Sequence, residues 1–157
     1  MKITLIQIGK TEEKYLNEGI DKFEKRLKHY INYSALTIPA LKNTKNMSIA
    51  EQKKKEAELL LKLINNSDQV VLLDEQGKEL SSSSFSVHLN NHMNKAVQNL
   101  VFVIGGPYGF DDRIYDRANE KISLSKMTFS HQMVRLFFTE QLYRAFTILK
   151  GEPYHHE

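Results

Sequence analysis

Hydrophobic positions along the chain follow two rhythms that alternate from one end to the other. Short apolar runs at 2–8, 69–74 and 99–104 predict buried strands, and longer stretches with apolar residues three and four apart predict amphipathic helices. The first strand ends at Gly9, and Leu16, Ile20, Phe23, Leu27 and Tyr30 then mark one face of a helix over 12–31. Residues 33–39 alternate weakly and carry β-branched Thr37 and Ile38, which predicts a second strand. A polar loop over 40–47 leads to Ser48 with Glu51 three residues on, a capping box that opens a helix to Ile64. Asn65-Asn66-Ser67 break that helix, Gln69–Asp74 forms the third strand, and Glu75-Gln-Gly-Lys78 reads as a turn. A helix over 83–95, a fourth strand over 99–104, a short helix capped by Asp111, a fifth strand over 121–124 and a last helix over 131–150 complete the pattern. With no repeat or linker, strands alternating with helices predict one α/β domain over 1–157, its mostly parallel sheet covered by helices on both faces.

Composition narrows the chemistry. The 157 residues are 41% hydrophobic and 26% charged, ordinary for a globular domain, and the absence of cysteine excludes disulfides, thiolate metal sites and thiol nucleophiles. No apolar run approaches the roughly 18 residues of a membrane span, and no signal-peptide pattern precedes the first strand, so a cytoplasmic location is expected. The net charge of +3 is mild but unevenly placed. Residues 1–64 carry 13 basic and 8 acidic side chains, 65–110 carry 2 and 4, and 121–150 carry 5 and 1. Two basic zones thus flank an acidic middle, suited equally to phosphate partners and to solvated helix faces.

Candidate chemistry concentrates where strands end. Leu100-Val-Phe-Val-Ile-Gly-Gly-Pro-Tyr-Gly-Phe110 is a strand that stops in a turn of three glycines, able to take positive φ and to let a ligand reach the main chain. It lacks Gly-x-Gly-x-x-Gly and the lysine of a P-loop, and no Lys or Arg lies between Lys95 and Arg113, so a phosphate cradle fits poorly. Taken alone, such a turn serves structure as readily as function. Ligands in open α/β sheets collect at the carboxyl ends of strands, however, and the ends at Leu73-Asp74, at Gly105-Gly106 and at Leu124–Phe129 could rim one apolar pocket.

His88 and His92, four residues apart in one helical pattern, read as a surface pair, and no metal is expected. His131 opens the last helix directly after the pocket loop, where capping, packing and substrate contact are all open to it. That helix is apolar over more than one face, and a homodimer would bury the second face. Arg135, Glu140 and Arg144 stand among its apolar residues, either paired with one another or turned to a ligand.

Five motifs in order, Leu72-Leu73-Asp74, Ile104-Gly-Gly-Pro-Tyr-Gly109, Ser123-Leu-Ser-Lys-Met-Thr128, Glu140-Gln-Leu-Tyr-Arg-Ala145 and Pro153-Tyr-His155, give a resemblance that covers essentially the whole chain. Together they resemble the bacterial large-subunit ribosomal RNA pseudouridine N3-methyltransferases of the SPOUT, or α/β-knot, superfamily. The resemblance implies a carboxyl-terminal trefoil knot, an obligate homodimer, and S-adenosyl-L-methionine as methyl donor. It further implies a pseudouridine in helix 69 of 23S ribosomal RNA as substrate, presented on the assembled ribosome.

Carried over by motif, the cofactor contacts would be Leu73, Gly105, Leu124, Ser125, Lys126, Met127, Thr128 and Phe129. His131, Arg144, Tyr154 and His155 would surround the target uracil, with the general base left open. Ser130 stands where the resemblance leads one to expect proline, which costs the loop stiffness but removes no chemical group. A non-catalytic ribosome-binding or assembly protein and a SPOUT enzyme acting on transfer RNA are the competing functions.

Overall fold

The computed structural model describes residues 1–156. Its elements in chain order are β1 (Lys2–Ile8), α1 (Lys14–Leu27), β2 (Asn32–Ile38), α2 (Ile49–Leu63), β3 (Gln69–Glu79), α3 (Ser82–Asn94), β4 (Asn99–Ile104), α4 (Asp112–Arg117), β5 (Glu120–Ser123) and α5 (His131–Lys150), with a single 3₁₀ turn at Thr44–Asn46 before α2. The strands form one sheet in the order β2-β1-β4-β3-β5, every neighbouring pair parallel. Strand alternation explains why both faces are covered: Ile3 and Leu5 of β1 and Leu100, Phe102 and Ile104 of β4 enter one core cluster, while Ile6, Ile8, Val101 and Val103 enter the other. Leu27 of α1, Phe85 and Leu89 of α3, and Phe138, Leu142 and Phe146 of α5 fill the first. Ala57 and Leu60 of α2 and Ile114 of α4 fill the second.

Local signals set most boundaries. Ser48 Oγ accepts from the Glu51 amide at 3.1 Å, Ser81 Oγ from the Ser84 amide at 3.1 Å, and Asp111 Oδ1 from the Arg113 amide at 3.0 Å, each satisfying an orphan donor at a helix start. Ser130 caps α5 in the same way, accepting from the Met133 amide at 3.2 Å. The residue that loosens the loop by not being proline therefore starts the helix that follows it.

Two expectations change. Residues 75–78 are not a turn, because β3 continues through them to Glu79. Both Leu73 and Lys78 pair with Ile122, so residues 74–77 leave the β3–β5 ladder and the strand then rejoins it. The helix expected over 12–31 ends at Leu27, and residues 28–31 turn into β2 with the Tyr30 and Ile31 amides bonded to the Leu27 carbonyl at 2.9 and 3.1 Å.

From β5 at the sheet edge the chain returns across the first core, where α5 packs between α1 and α3. Among the described residues Arg135 is the one long charged side chain wholly inside, 1% exposed. No carboxylate among the described residues pairs with it; its guanidinium donates to the Ile8 carbonyl at 2.7 Å and to Thr11 Oγ1 at 2.9 Å, tying α5 to the carboxyl end of β1. No helix among the described residues is long and apolar enough to cross a membrane.

Candidate active site

The carboxyl ends of β3, β4 and β5 and the start of α5 enclose a cleft of about 530 Å³. Its walls are Leu73–Gln76, the turn Ile104–Phe110, Tyr115 of α4, the loop Ser123–Ser130 without Lys126, and His131 and Val134. Leu73, Gly105, Leu124, Ser125, Met127, Thr128 and Phe129 thus gather where they were expected. Lys126 does not: it reaches into solvent, 3.7 Å from Glu79 across two exposed side chains.

The glycine turn works differently from its sequence reading. Only Gly109 has positive φ, at +81°, whereas Gly105 and Gly106 lack it and have side chains close by instead. A Cβ on Gly105 would meet the Phe110 ring at 3.2 Å, and one on Gly106 would sit 2.7 Å from the Glu56 carboxylate. Both press the turn against its own support and leave main chain facing the cleft.

No Lys or Arg lines the cleft; its formal charges are the carboxylates of Asp74 and Glu75. Asp74 accepts a very short hydrogen bond from the Tyr115 hydroxyl and another from the Gln76 amide at 2.8 Å. Burial first, then that bond to Asp74, drives the Tyr115 phenol upward, so it stays a donor. Thr128 Oγ1 donates to Glu75 at 2.9 Å, and Ser125 Oγ accepts from the Met127 amide at 2.9 Å, which fixes the shape of the loop. Tyr115 and Glu75 escaped sequence reasoning, since contacts 41 and 53 residues long leave no local signal.

His131 lies between this cleft and a second cavity of about 630 Å³ lined by the ends of β1 and β2 and by α2. Burial, and next the Arg135 charge, hold its imidazole below the usual range, so it is neutral at neutral pH and able to accept a proton. Glu56 lines the second cavity, 4% exposed, with no partner for Oε1. Burial raises its carboxyl, and a hydrogen bond with Gln52 offsets this only in part.

The folded chain therefore holds the Glu56 proton more tightly than the unfolded chain, and this contribution to stability, complete below pH 4.5, is lost as pH rises through the raised value. Glu56→Gln removes the loss. It is expected to stabilise the protein by about 1 kcal/mol at neutral pH and to have little effect in acid, read from thermal melts across pH. An offset independent of pH would acquit the carboxylate.

The other expected catalytic residues stand apart. Arg144 Nε and Nη2 donate to Glu140 Oε1 at 3.1 and 2.6 Å, the Tyr154 hydroxyl donates to the same oxygen at 2.9 Å, and Arg144 Nη1 lies 3.1 Å from His155 Nδ1. The guanidinium also covers the Tyr154 ring at 4.7 Å. Hydrogen bonding to Glu140 raises Arg144, and burial followed by the bond to Glu140 raises Tyr154, so both keep their protons. Arg144 lies thirteen residue steps beyond His131, about 20 Å along α5. One chain brings Arg144, Tyr154 and His155 together, and His131 joins the cleft instead.

A family model described as "Predicted SPOUT methyltransferase" matches residues 1–155. The chain belongs to the SPOUT methyltransferase family. Its relatives of known name include proteins called ribosomal RNA large subunit methyltransferase H from Christiangramia forsetii, 61% identical over 156 residues and 99% of each chain, and Parabacteroides distasonis, 57% identical over the full length of both. A third, from Flavobacterium johnsoniae, is 58% identical over the full length of both and carries the same name. A SPOUT methyltransferase uses a methyl donor, and the cleft at the strand ends is the candidate place for one.

Proposed function

We propose that this protein is a one-domain, S-adenosyl-L-methionine-dependent methyltransferase that modifies N3 of a pseudouridine in helix 69 of 23S ribosomal RNA, on the assembled ribosome in the cytoplasm. The observation that carries the reading is the cleft, found in a chain matched end to end by large-subunit ribosomal RNA methyltransferases. Its lining suits the donor: an adenosyl group needs apolar walls and main-chain hydrogen bonds, and a sulfonium cation favours a site with Asp74 and Glu75 and no Lys or Arg. When bound, S-adenosyl-L-methionine supplies an electrophilic methyl group.

The remaining work falls to side chains of this protein. Leu73, Ile104 and Leu124 form apolar walls, and Thr128 and Phe129 close the loop over them. Neutral His131 offers a lone pair that can take the N3 proton in passing and hand it on to solvent, since burial and Arg135 disfavour a lasting imidazolium. Arg144, kept charged by Glu140, can stabilise negative charge gathering on a uracil carbonyl, with Tyr154 and His155 contacting the base or its sugar.

Because His131 and Arg144 lie about 20 Å apart on one helix, the complete site is proposed to form in a homodimer, where one subunit supplies the cleft and its twin the Arg144 cluster. Apolar surface beside the cleft supports this arrangement: Met127 is 74% exposed and Phe129 39%, the latter packed at a tilt against half-buried Phe137 of α5. The return of α5 from the sheet edge across the fold to α1 likewise supports the carboxyl-terminal trefoil knot. Lysines and arginines of the two basic zones are the natural phosphate partners of the RNA.

Calorimetry with S-adenosyl-L-methionine, followed by mass spectrometry of ribosomal RNA after incubation with ribosomes from a strain lacking the enzyme, tests the reading. One cofactor bound per cleft and one added methyl on a helix 69 pseudouridine are expected. Absence of cofactor binding at millimolar concentration would favour a scaffold role in ribosome assembly, and methyl transfer to isolated transfer RNA would reassign the substrate.

A further inference from the structure

At the opposite end of the sheet from the cleft, α3 presents His88 and His92 one turn apart to the first residue of β5, Glu120. This is no surface pair: the His92 side chain is 7% exposed, that of His88 17%, and that of Glu120 33%. His88 Nε2 lies 2.6 Å from Glu120 Oε2, His92 Nε2 lies 3.0 Å from Glu120 Oε1, and the two Nε2 atoms are 3.3 Å apart. Three donor atoms from two separate elements therefore converge on one point, all within 4.8 Å of one another.

We propose that His88, His92 and Glu120 form a binding site for a divalent transition-metal ion of the zinc class, which fastens the edge strand β5 to α3. Zinc bonds of about 2.0–2.1 Å at tetrahedral angles set neighbouring donors about 3.3 Å apart, which matches the separation of the imidazole nitrogens. The closer carboxylate contact opens by a small rotation of the most exposed of the three side chains.

The surroundings suit a ligand set. Gln69 Nε2 donates to Glu120 Oε1 at 3.3 Å and steadies the carboxylate, as outer partners of metal ligands do. In the ion-free chain each Nε2–H donates to the Glu120 carboxylate, so binding an ion at Nε2 moves both ring protons to Nδ1, where no protein acceptor stands among the described residues and water must take the hydrogen bond. Exposure of Glu120 leaves a route in and room for water as the fourth ligand. Imidazole and carboxylate donors in a tetrahedral arrangement favour Zn²⁺ over the harder Mg²⁺ and Ca²⁺.

The consequence is mechanical. Among the described residues β5 pairs with β3 alone, and it leads into the loop Leu124–Phe129, so an ion at its first residue would anchor one end of a short edge strand whose other end shapes the cleft. This inference does not depend on the methyltransferase reading.

The test uses the untagged, full-length protein stripped with chelator, titrated with Zn²⁺ by calorimetry and with Co²⁺ by visible absorption. Expected are one ion per chain, Co²⁺ bands of tetrahedral intensity, and a melting temperature that rises on adding Zn²⁺ and falls again with chelator. His92→Asn and, as the more exposed alternative should that variant fold poorly, His88→Asn are each expected to weaken Zn²⁺ binding at least tenfold and to abolish the Co²⁺ bands, and Glu120→Gln to weaken it likewise. No saturable binding by the wild-type chain, or equal binding by the variants through other histidines, would overturn the proposal. Co²⁺ bands of octahedral intensity would do so as well.

Discussion

Replacing Arg144 with alanine is expected to slow methyl transfer to ribosomes by about a hundredfold to a thousandfold, the range seen when one donor aimed at developing charge is removed. Cofactor affinity should be unchanged, because Arg144 is not in the cleft wall. Some loss of stability should accompany this, because the Arg144–Glu140 pair has only 24% and 19% of its side chains exposed and the variant leaves Glu140 with Tyr154 and Gln141 as its partners, so a thermal melt is run beside the rate measurement. The pair's importance is organisational. A single guanidinium holds Glu140, stacks on Tyr154 and meets His155, which fixes the tail residues Tyr154 and His155 against α5. Arg144→Lys keeps the charge but loses the planar fork, and should recover only a small part of the rate. Single-turnover transfer of a labelled methyl group, with calorimetry of cofactor binding alongside, separates these effects.

The same variant can decide whether the site is shared between subunits. Gly105→Leu presses on the Phe110 ring and crowds the cleft, so by itself it should lose cofactor binding. When Arg144→Ala and Gly105→Leu chains are unfolded together and refolded, each mixed dimer would own one intact cleft facing one intact Arg144 cluster. Random pairing then restores about one quarter of wild-type activity. If all four residues act within one chain, the mixture stays inactive and the composite site is refuted.

How much of this was legible in the sequence depends on the range of the interaction. β1 and β4 were readable because both faces are buried and the runs are largely apolar, and helix starts at Ser48 and Asp111 were readable from caps that act within three residues, whereas the Ser130 cap of α5 was not read. The second half of β3 was not. Glu75-Gln-Gly-Lys78 has turn composition, and only its pairing with a strand more than 40 residues away makes it extended. His88 and His92 were visible as a pair, but Glu120, which makes them a cluster, lies on another element. The separation of His131 from Arg144, by contrast, was implicit in the length of the predicted helix: a continuous α5 keeps residues 131 and 144 apart whatever the rest of the chain does.

Gly77→Ala should be the most damaging small substitution in the fold. The added Cβ would lie 2.6 Å from both the amide nitrogen and the carbonyl carbon of Ile122, and 2.7 Å from the carbonyl carbon of Lys121. These are main-chain atoms, and no rotamer change can move them aside. Gly77 stands where β3, after leaving the ladder at Leu73, returns to pair Lys78 with the same Ile122, so relief requires β5 to shift away from its partner strand. Overpacking of this kind costs about 1–3 kcal/mol, and each ladder hydrogen bond disturbed adds about 1 kcal/mol. A total near 3 kcal/mol or more would lower the melting temperature by roughly 6–12 °C in a chain of this size, and Gly77→Val should leave little folded protein. The informative comparison is Gly109→Ala. Gly109 has positive φ but open space around its Cβ position, so its cost is backbone strain of about 1 kcal/mol. Gly77 has the reverse problem, ordinary φ and no space. If thermal melts rank Gly109→Ala as the worse of the two, β5 yields to the added Cβ and the edge strand does not depend on glycine there.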